Sequence, residues 1–283
     1  MGTFDKFKVH TGYEEIDHLI SGLHSGDLIS IVGNSGTGKT TFLVNITMNI
    51  TMEARQEVAF MSLQHLPDQL GFKFLGVESN VVIRDIIRGH IRVADWHQLI
   101  TTASDLAESP LIIGCAPLNS VKHFIDEVRK IRQTKQQLKL LIVDSLGMLQ
   151  LHDRKEYAEG LRLLKQTAME LQLPILLSCT VKTKSLKKDN KTMIRDALYD
   201  VIDTYSDTAM MINLKSSDFA VHLVTSDSTI KCDKSAMNQK LVTKIRTEIT
   251  LLKNTYGPLG SVFLNFIPQQ WKFESIEGSN EQD

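Results

Sequence analysis

Short, uniformly apolar runs recur along the chain at fairly regular intervals. Residues 27–32 (DLISIV), 58–63, 111–113, 140–144, 175–178 and 208–214 read as buried strands, too short for helices and rich in β-branched side chains. Between several of them the apolar period lengthens. Residues 120–132 and 156–171 carry their apolar positions on one helical face, with Leu161, Leu164, Ala168 and Leu171 three or four residues apart. Another helical stretch opens at Thr41 and runs to about residue 52. Strands alternating with helices predict an α/β fold whose mainly parallel central sheet is flanked by helices. From about residue 220 the helical pattern thins. Residues 244–253 and 261–267 flank the turn Tyr256-Gly257-Pro258-Leu259-Gly260 and predict a C-terminal β-hairpin. The polar stretches 183–193 and 225–240 read as long loops, mobile or functional. The pattern divides the chain into an arm over 1–10, one domain over 11–273 and a disordered tail over 274–283.

The first strand runs into a glycine-rich loop, Gly33-Asn34-Ser35-Gly36-Thr37-Gly38-Lys39-Thr40, followed by Thr41. It matches every fixed position of G-x-x-x-x-G-K-[ST], between a strand and a helix as that motif requires. Glycines allow a tight turn whose N–H groups face phosphate oxygens, and the helix N-terminus favours an anion. Lys39 supplies a point charge for the β- and γ-phosphates, and Thr40 a hydroxyl for Mg²⁺. These residues predict binding of ATP with Mg²⁺. The apolar strand ending in Asp144 would bring a carboxylate beside the loop to complete the Mg²⁺ shell, although a strand-ending Asp is also a common turn residue.

Composition narrows the rest. A chain of 283 residues, 42% hydrophobic and 23% charged, suits one large α/β domain with an ample core. A formal net charge of -1 leaves no global field for nucleic acid, so any such site must be local. Residues 182–195 supply one candidate, with Lys182, Lys184, Lys187, Lys188, Lys191 and Arg195 against Asp189. Such a loop suits non-specific contact with a phosphate backbone, or is simply a solvated surface, and it lacks aromatic residues for base stacking. Cys115, Cys179 and Cys232 are widely separated, which argues against a zinc site or disulfide framework and for a reducing, cytoplasmic setting. The nine histidines form no metal-binding cluster, and neither a membrane span nor a signal peptide is visible.

A longer series of segments carries a family likeness. Thr11-Gly12-Tyr13-Glu14-Glu15-Ile16-Asp17, Ser21-Gly22-Leu23 and Gly26-Asp27-Leu28 precede the phosphate loop. Met61-Ser62-Leu63, Asp95-Trp96, Ser109-Pro110-Leu111, the Asp144 strand, Leu173-Pro174-Ile175, Gly257-Pro258-Leu259-Gly260, Phe266-Ile267-Pro268 and Phe273-Glu274 follow it. In this order they resemble the RecA-like motor domain of bacterial hexameric replicative helicases of the DnaB type, over residues 10–275. The resemblance implies ATP at subunit interfaces, single-stranded DNA in a central channel gripped by the lysine-rich loop, and self-association into a ring or filament. It also implies a separate N-terminal collar and linker helix, which are not expected in a chain whose motor motifs begin by Thr11.

Against that family pattern three positions differ. Gln64 stands where the family's catalytic glutamate follows Ser-Leu, and Cys179 where its sensor glutamine follows Leu-Ser. Lys253 of the family's Lys-x-Arg pair is retained, but Thr255 replaces the arginine finger. An amide cannot accept a water proton, and loss of a base costs about 10²–10⁴ in rate. Loss of a finger costs about 10³–10⁵. Arg246, Glu248, Glu53, Glu57 and His65 are the candidate substitutes, His65 being expected on the strand face opposite Gln64. Two functions follow: a hydrolysis-impaired, nucleotide-dependent assembly or regulatory module that joins DNA or a complete helicase, or a slow or partner-assisted DNA helicase. A clock-type or recombination-type ATPase is the third, disfavoured by the C-terminal hairpin.

Overall fold

The computed structural model describes residues 8–115, 120–148, 153–181, 183–185, 192–194, 197–214 and 244–276. A short ribbon opens the fold: β1 (Lys8–Val9) pairs antiparallel with β2 (Leu23–His24), with α1 (Glu14–Ile20) between them. Then β3 (Leu28–Gly33) leads into α2 (Lys39–Met48), which continues as a π-helical turn over Asn49–Glu53. After β4 (Glu57–Ser62) come three helices, α3 (Pro67–Ser79), α4 (Ile83–Arg88) and α5 (Val93–Glu108). The alternation resumes with β5 (Leu111–Cys115), α6 (Val121–Thr134), β6 (Leu138–Asp144), α7 (Arg154–Leu171) and β7 (Ile175–Thr180). Two short strands, β8 (Thr183–Ser185) and β9 (Thr192–Ile194), pair with each other before α8 (Ala197–Tyr205) and β10 (Thr208–Ile212). The last three strands are β11 (Ile245–Asn254), β12 (Ser261–Ile267) and β13 (Lys272–Ser275).

One nine-stranded sheet joins them in the order β13-β12-β11-β10-β3-β7-β6-β4-β5. From β10 to β5 all neighbours are parallel; from β10 to β13 they are antiparallel. The inner parallel strands are largely apolar on both faces because each face is covered, whereas the edge strand β5 leaves Ile113 exposed. In β3 the alternation is direct: Ile29 and Ile31 join the core that includes Phe42, Phe74 and Phe266, whereas Leu28 and Val32 join the core that includes Phe124, Leu161 and Leu164. Helix α2 lies inside the first of these cores, with nine of its ten residues buried. Phe42, fully buried, stacks on Tyr13 at 5.7 Å and meets Phe273 edge-on at 5.3 Å.

The expected strands and helices agree with those observed to within a few residues. Three differences have physical causes. Residues 64–108, which carry no sufficiently clear period, hold α3, α4 and α5; α5 exposes Val93, Trp96 and Ile100, so its apolar positions do not mark one buried face. The expected loop over 183–193 contains β8 and the start of β9, while 225–240 lies outside the described residues. The hairpin gains a third strand, β13, which takes Glu274 and Ser275 out of the expected tail because Leu264 and Asn265 pair with them.

The entrance to β3 carries a partly buried charge cluster around Asp27. Asp27 Oδ1 accepts a 2.9 Å hydrogen bond from the Tyr256 hydroxyl, and Lys165 Nζ donates to Asp207 Oδ2 at 2.6 Å and to the Gly26 carbonyl at 2.9 Å. Burial, and then the neighbouring Asp207 carboxylate, push the Asp27 carboxyl up from 3.8 to about 6. A raised carboxyl pKa means that the ionised form is disfavoured by folding, at roughly 3 kcal/mol near neutral pH. That penalty shrinks as pH falls through 6 and is gone below the unfolded value near 3.8. Asp27→Asn is therefore expected to flatten the stability profile: the gain of about 1 kcal/mol in urea-unfolding free energy between pH 7 and pH 5 should be absent from the variant.

Candidate nucleotide site

The loop 33–40 crosses from β3 to α2 in the conformation its glycines permit. Gly36 and Gly38 take φ of 77° and 85°, in the left-handed region that a side chain disfavours. At Gly33 an added Cβ would stand 2.7 Å from the Thr37 hydroxyl, which donates at 2.9 Å to the Asn34 carbonyl. Lys39, first residue of α2 and 8% exposed, donates from Nζ to the Gly33 and Asn34 carbonyls at 3.0 and 2.7 Å. Burial lowers its pKa to about 8, an effect that the Asp144 carboxylate opposes. A buried ammonium satisfied only by carbonyls is a site prepared for an anion.

Thr40 lies beside it and donates to Asp144 Oδ1 at 3.1 Å. Ser178, from β7, donates to the same oxygen at 2.6 Å. Asp144 ends β6 at 1% exposure, and its Oδ2 is buried with no hydrogen-bond partner. An orphaned carboxylate oxygen next to a threonine hydroxyl and a phosphate loop fits a hydrated Mg²⁺, which takes one or two protein oxygens and completes its shell with water and phosphate.

These groups line one cavity of about 720 Å³. Its floor is Ser35, Gly36, Gly38, Lys39, Thr40 and Thr41, with Asp144, Ser178 and Thr180 at the strand ends. Its walls come from elements outside the phosphate loop: Lys73 of α3, Arg84 and Arg88 of α4, and Pro268, Gln269 and Trp271 of the β12–β13 turn. Hydrogen bonds stitch these walls together. The Ile83 N–H donates to the Gln269 carbonyl at 3.0 Å, and Asn45 of α2 donates to the Trp271 carbonyl at 2.9 Å while accepting from the Phe273 N–H at 2.9 Å.

The positions that depart from the family pattern fall in different places. Gln64 lines the cavity. His65 lines it too, against the expectation that it would face away: β4 ends at Ser62, so strand alternation no longer governs residues 64 and 65, and the His65 N–H turns back to the Ser62 hydroxyl at 2.9 Å. Cys179 is fully buried in the core with Leu177 and Val181, on the face opposite Ser178 and Thr180; burial raises its thiol to about 12. Thr255 donates from its hydroxyl to the Asp207 carbonyl at 2.7 Å, and Lys253 donates to the Asp203 carbonyl. Glu57 pairs with Lys135 at 3.6 Å and the Arg246 guanidinium lies 4.0 Å from the Phe263 ring; neither these residues nor Glu53 and Glu248 line the cavity. Of the lysine-rich segment, Lys184 is described in backbone only, and Lys182, Lys187, Lys188, Lys191 and Arg195 lie outside the described residues.

A parallel sheet with its glycine loop at the point where β3 sits between β7 and β10, and with Asp144 beside that loop, defines a RecA-like P-loop nucleotide-binding domain. The model of the DnaB-like helicase C-terminal domain matches residues 8–275, and the chain belongs to that family. It is 26% identical over 276 residues to the replicative DNA helicase DnaC of Bacillus subtilis, covering 95% of this chain and 57% of that protein. It is equally 26% identical over 276 residues to the replicative DNA helicase DnaB of Geobacillus stearothermophilus, with the same coverage. The chain thus spans somewhat more than half the length of these relatives. Among solved structures, a DnaB-like replicative helicase described with its interactions with primase superimposes with a TM-score of 0.78 at 18% identity, over 95% of this chain and 62% of that one. A second solved structure, described as an ATPase domain, gives 0.77 at 18% identity, over 95% of this chain and 91% of that one. No helix among the described residues is long and apolar enough to cross a membrane.

Proposed function

We propose that this chain binds ATP with Mg²⁺ and acts on or with single-stranded DNA in DNA replication as a hydrolysis-impaired, nucleotide-dependent assembly or regulatory module. Lys39, Thr40 and Asp144 hold the phosphates and the metal, and the metal offsets phosphate charge when bound. The observation that carries the reading is what surrounds this intact cradle. The base position offers the amide of Gln64, the sensor position is buried as Cys179, and the Thr255 hydroxyl is engaged with the backbone of its own chain. Binding without rapid cleavage favours a persistent ATP-bound form. In that form the chain assembles into a ring or filament, or joins a complete helicase, with the segment 182–195 touching the DNA backbone. The cytoplasm is the matching setting.

The experiment is ATP turnover with single-stranded DNA present, paired with equilibrium ATP binding. Tight binding with turnover well below one per second is the expected result; turnover of several per second that Lys39→Ala abolishes would overturn it. Gln64→Glu alone is expected to raise turnover less than about tenfold, because residues acting as a catalytic unit are not additive and no arginine stands at position 255. A second reading, a slow or partner-assisted helicase, draws on His65. Burial holds its imidazole below the usual histidine pKa, so a neutral nitrogen base lines the cavity beside Gln64. Turnover lost in His65→Ala but unchanged in Gln64→Ala would favour it.

A further inference from the structure

Lys73 occupies an unusual position for a lysine. On α3 it falls among Leu70, Phe74 and Val77, the residues that turn that helix's apolar face into the core. Pro67 at the first helical position and Gln69, whose side chain accepts from the Leu66 N–H at 3.3 Å, fix the start of the helix and so its rotation. The ammonium consequently points inward, into the cavity that holds the phosphate loop. There it makes no ion pair among the described residues. Its contact is the face of Trp271, whose ring centroid lies 4.0 Å from Nζ. Burial depresses its pKa, and the only charge opposing that is Asp144, the carboxylate of the metal site.

We propose that Lys73 is a ligand for the terminal phosphate of a nucleoside triphosphate, supplied within the chain, and that Trp271 holds it when that phosphate is absent. This rests on the ATP-binding reading and deepens it: the pocket then tells a triphosphate from a diphosphate without cleaving either. The chemistry favours the exchange. An aromatic face attracts a cation weakly compared with a phosphate oxygen, which forms a charge-assisted hydrogen bond. The Trp271 backbone is tied to the helix that follows the phosphate loop, since its carbonyl accepts from Asn45. Movement therefore falls to the flexible lysine stem. His65, also on the cavity wall, lies near enough for Lys73 to lower its pKa, so withdrawal of the ammonium toward a phosphate would be felt there as well.

The chain has two tryptophans, and Trp96→Phe leaves Trp271 as the sole emitter. Its fluorescence is followed while Mg·ATPγS, a slowly hydrolysed triphosphate, or Mg·ADP is titrated. The expected result is a change in emission with ATPγS that ADP does not produce. In the same background Lys73→Met should weaken ATPγS binding about tenfold or more and ADP binding less than about twofold, while Lys73→Arg retains most of the preference. Identical emission with both nucleotides, or equal weakening of both by Lys73→Met, would overturn the assignment while leaving ATP binding intact. Failure of the Trp96→Phe chain and the unsubstituted chain alike to bind either nucleotide would instead remove the ATP-binding reading, and this one with it.

Discussion

Lys39→Met is expected to lower ATP affinity by about 100-fold, the range for losing a hydrogen-bonded charge on phosphate, while leaving the nucleotide-free fold at least as stable. The two effects have one origin. The ammonium is buried and held below its usual pKa, to about 8, so the free protein bears a cost for keeping it charged. A lysine whose folded pKa is depressed destabilises the fold most below that value, and removing it relieves the cost. Phosphate reverses the balance by restoring the charged form. ATP affinity is therefore expected to be level below pH 8 and to decline above it, by up to about tenfold per unit, as Lys39 gives up its proton in the free state. Isothermal titration at several pH values measures both points, with thermal melts of the variant as companion. A flat profile to about pH 10 would separate Lys39 from the phosphates.

Phe42→Ala should cost roughly 3–5 kcal/mol of unfolding free energy, the range for deleting a buried aromatic ring. The ring is fully buried between Tyr13 and Phe273 and is one of the contacts holding β13 against the phosphate-loop helix. Urea denaturation gives the number. Part of the loss should appear as weaker nucleotide binding, because Trp271 and Gln269 lie on the turn that Phe42 helps to anchor through Phe273. A loss below about 1 kcal/mol would mean that the cavity left by the ring collapses.

The phosphate loop was legible because its chemistry is contiguous: eight consecutive residues specify the turn, the donors and the charge. The parallel strands were legible because burial on both faces leaves an unbroken apolar run. The far wall was not, because Lys73, Arg84, Arg88 and Trp271 approach the loop only through tertiary packing, Trp271 across more than two hundred residues of sequence, and none stands in a motif. Lys73 does leave a trace, a charge inside the periodic run Leu70–Phe74–Val77. At Cys179 the family pattern located a position in the sequence, but strand alternation decided the face: Ser178 points to Asp144, so its successor points to the core. For His65 the same rule failed, since it was carried past the last residue of β4.

The nucleotide cavity closes with residues that leave the ribosome late. Its floor is complete by Thr41, yet Pro268, Gln269 and Trp271 come more than two hundred residues afterwards, and the Tyr13 hydroxyl reaches the Phe273 carbonyl across 260 positions. Such distant partners make assembly slow, because long loops must close before the contacts reward them. A nascent chain that has emerged only as far as β11 therefore carries the whole glycine loop, and Lys73, Arg84 and Arg88, but lacks the part of the wall that Pro268, Gln269 and Trp271 supply. The floor of this cavity is thus specified early in the chain, and part of its wall only after β12 has joined the sheet.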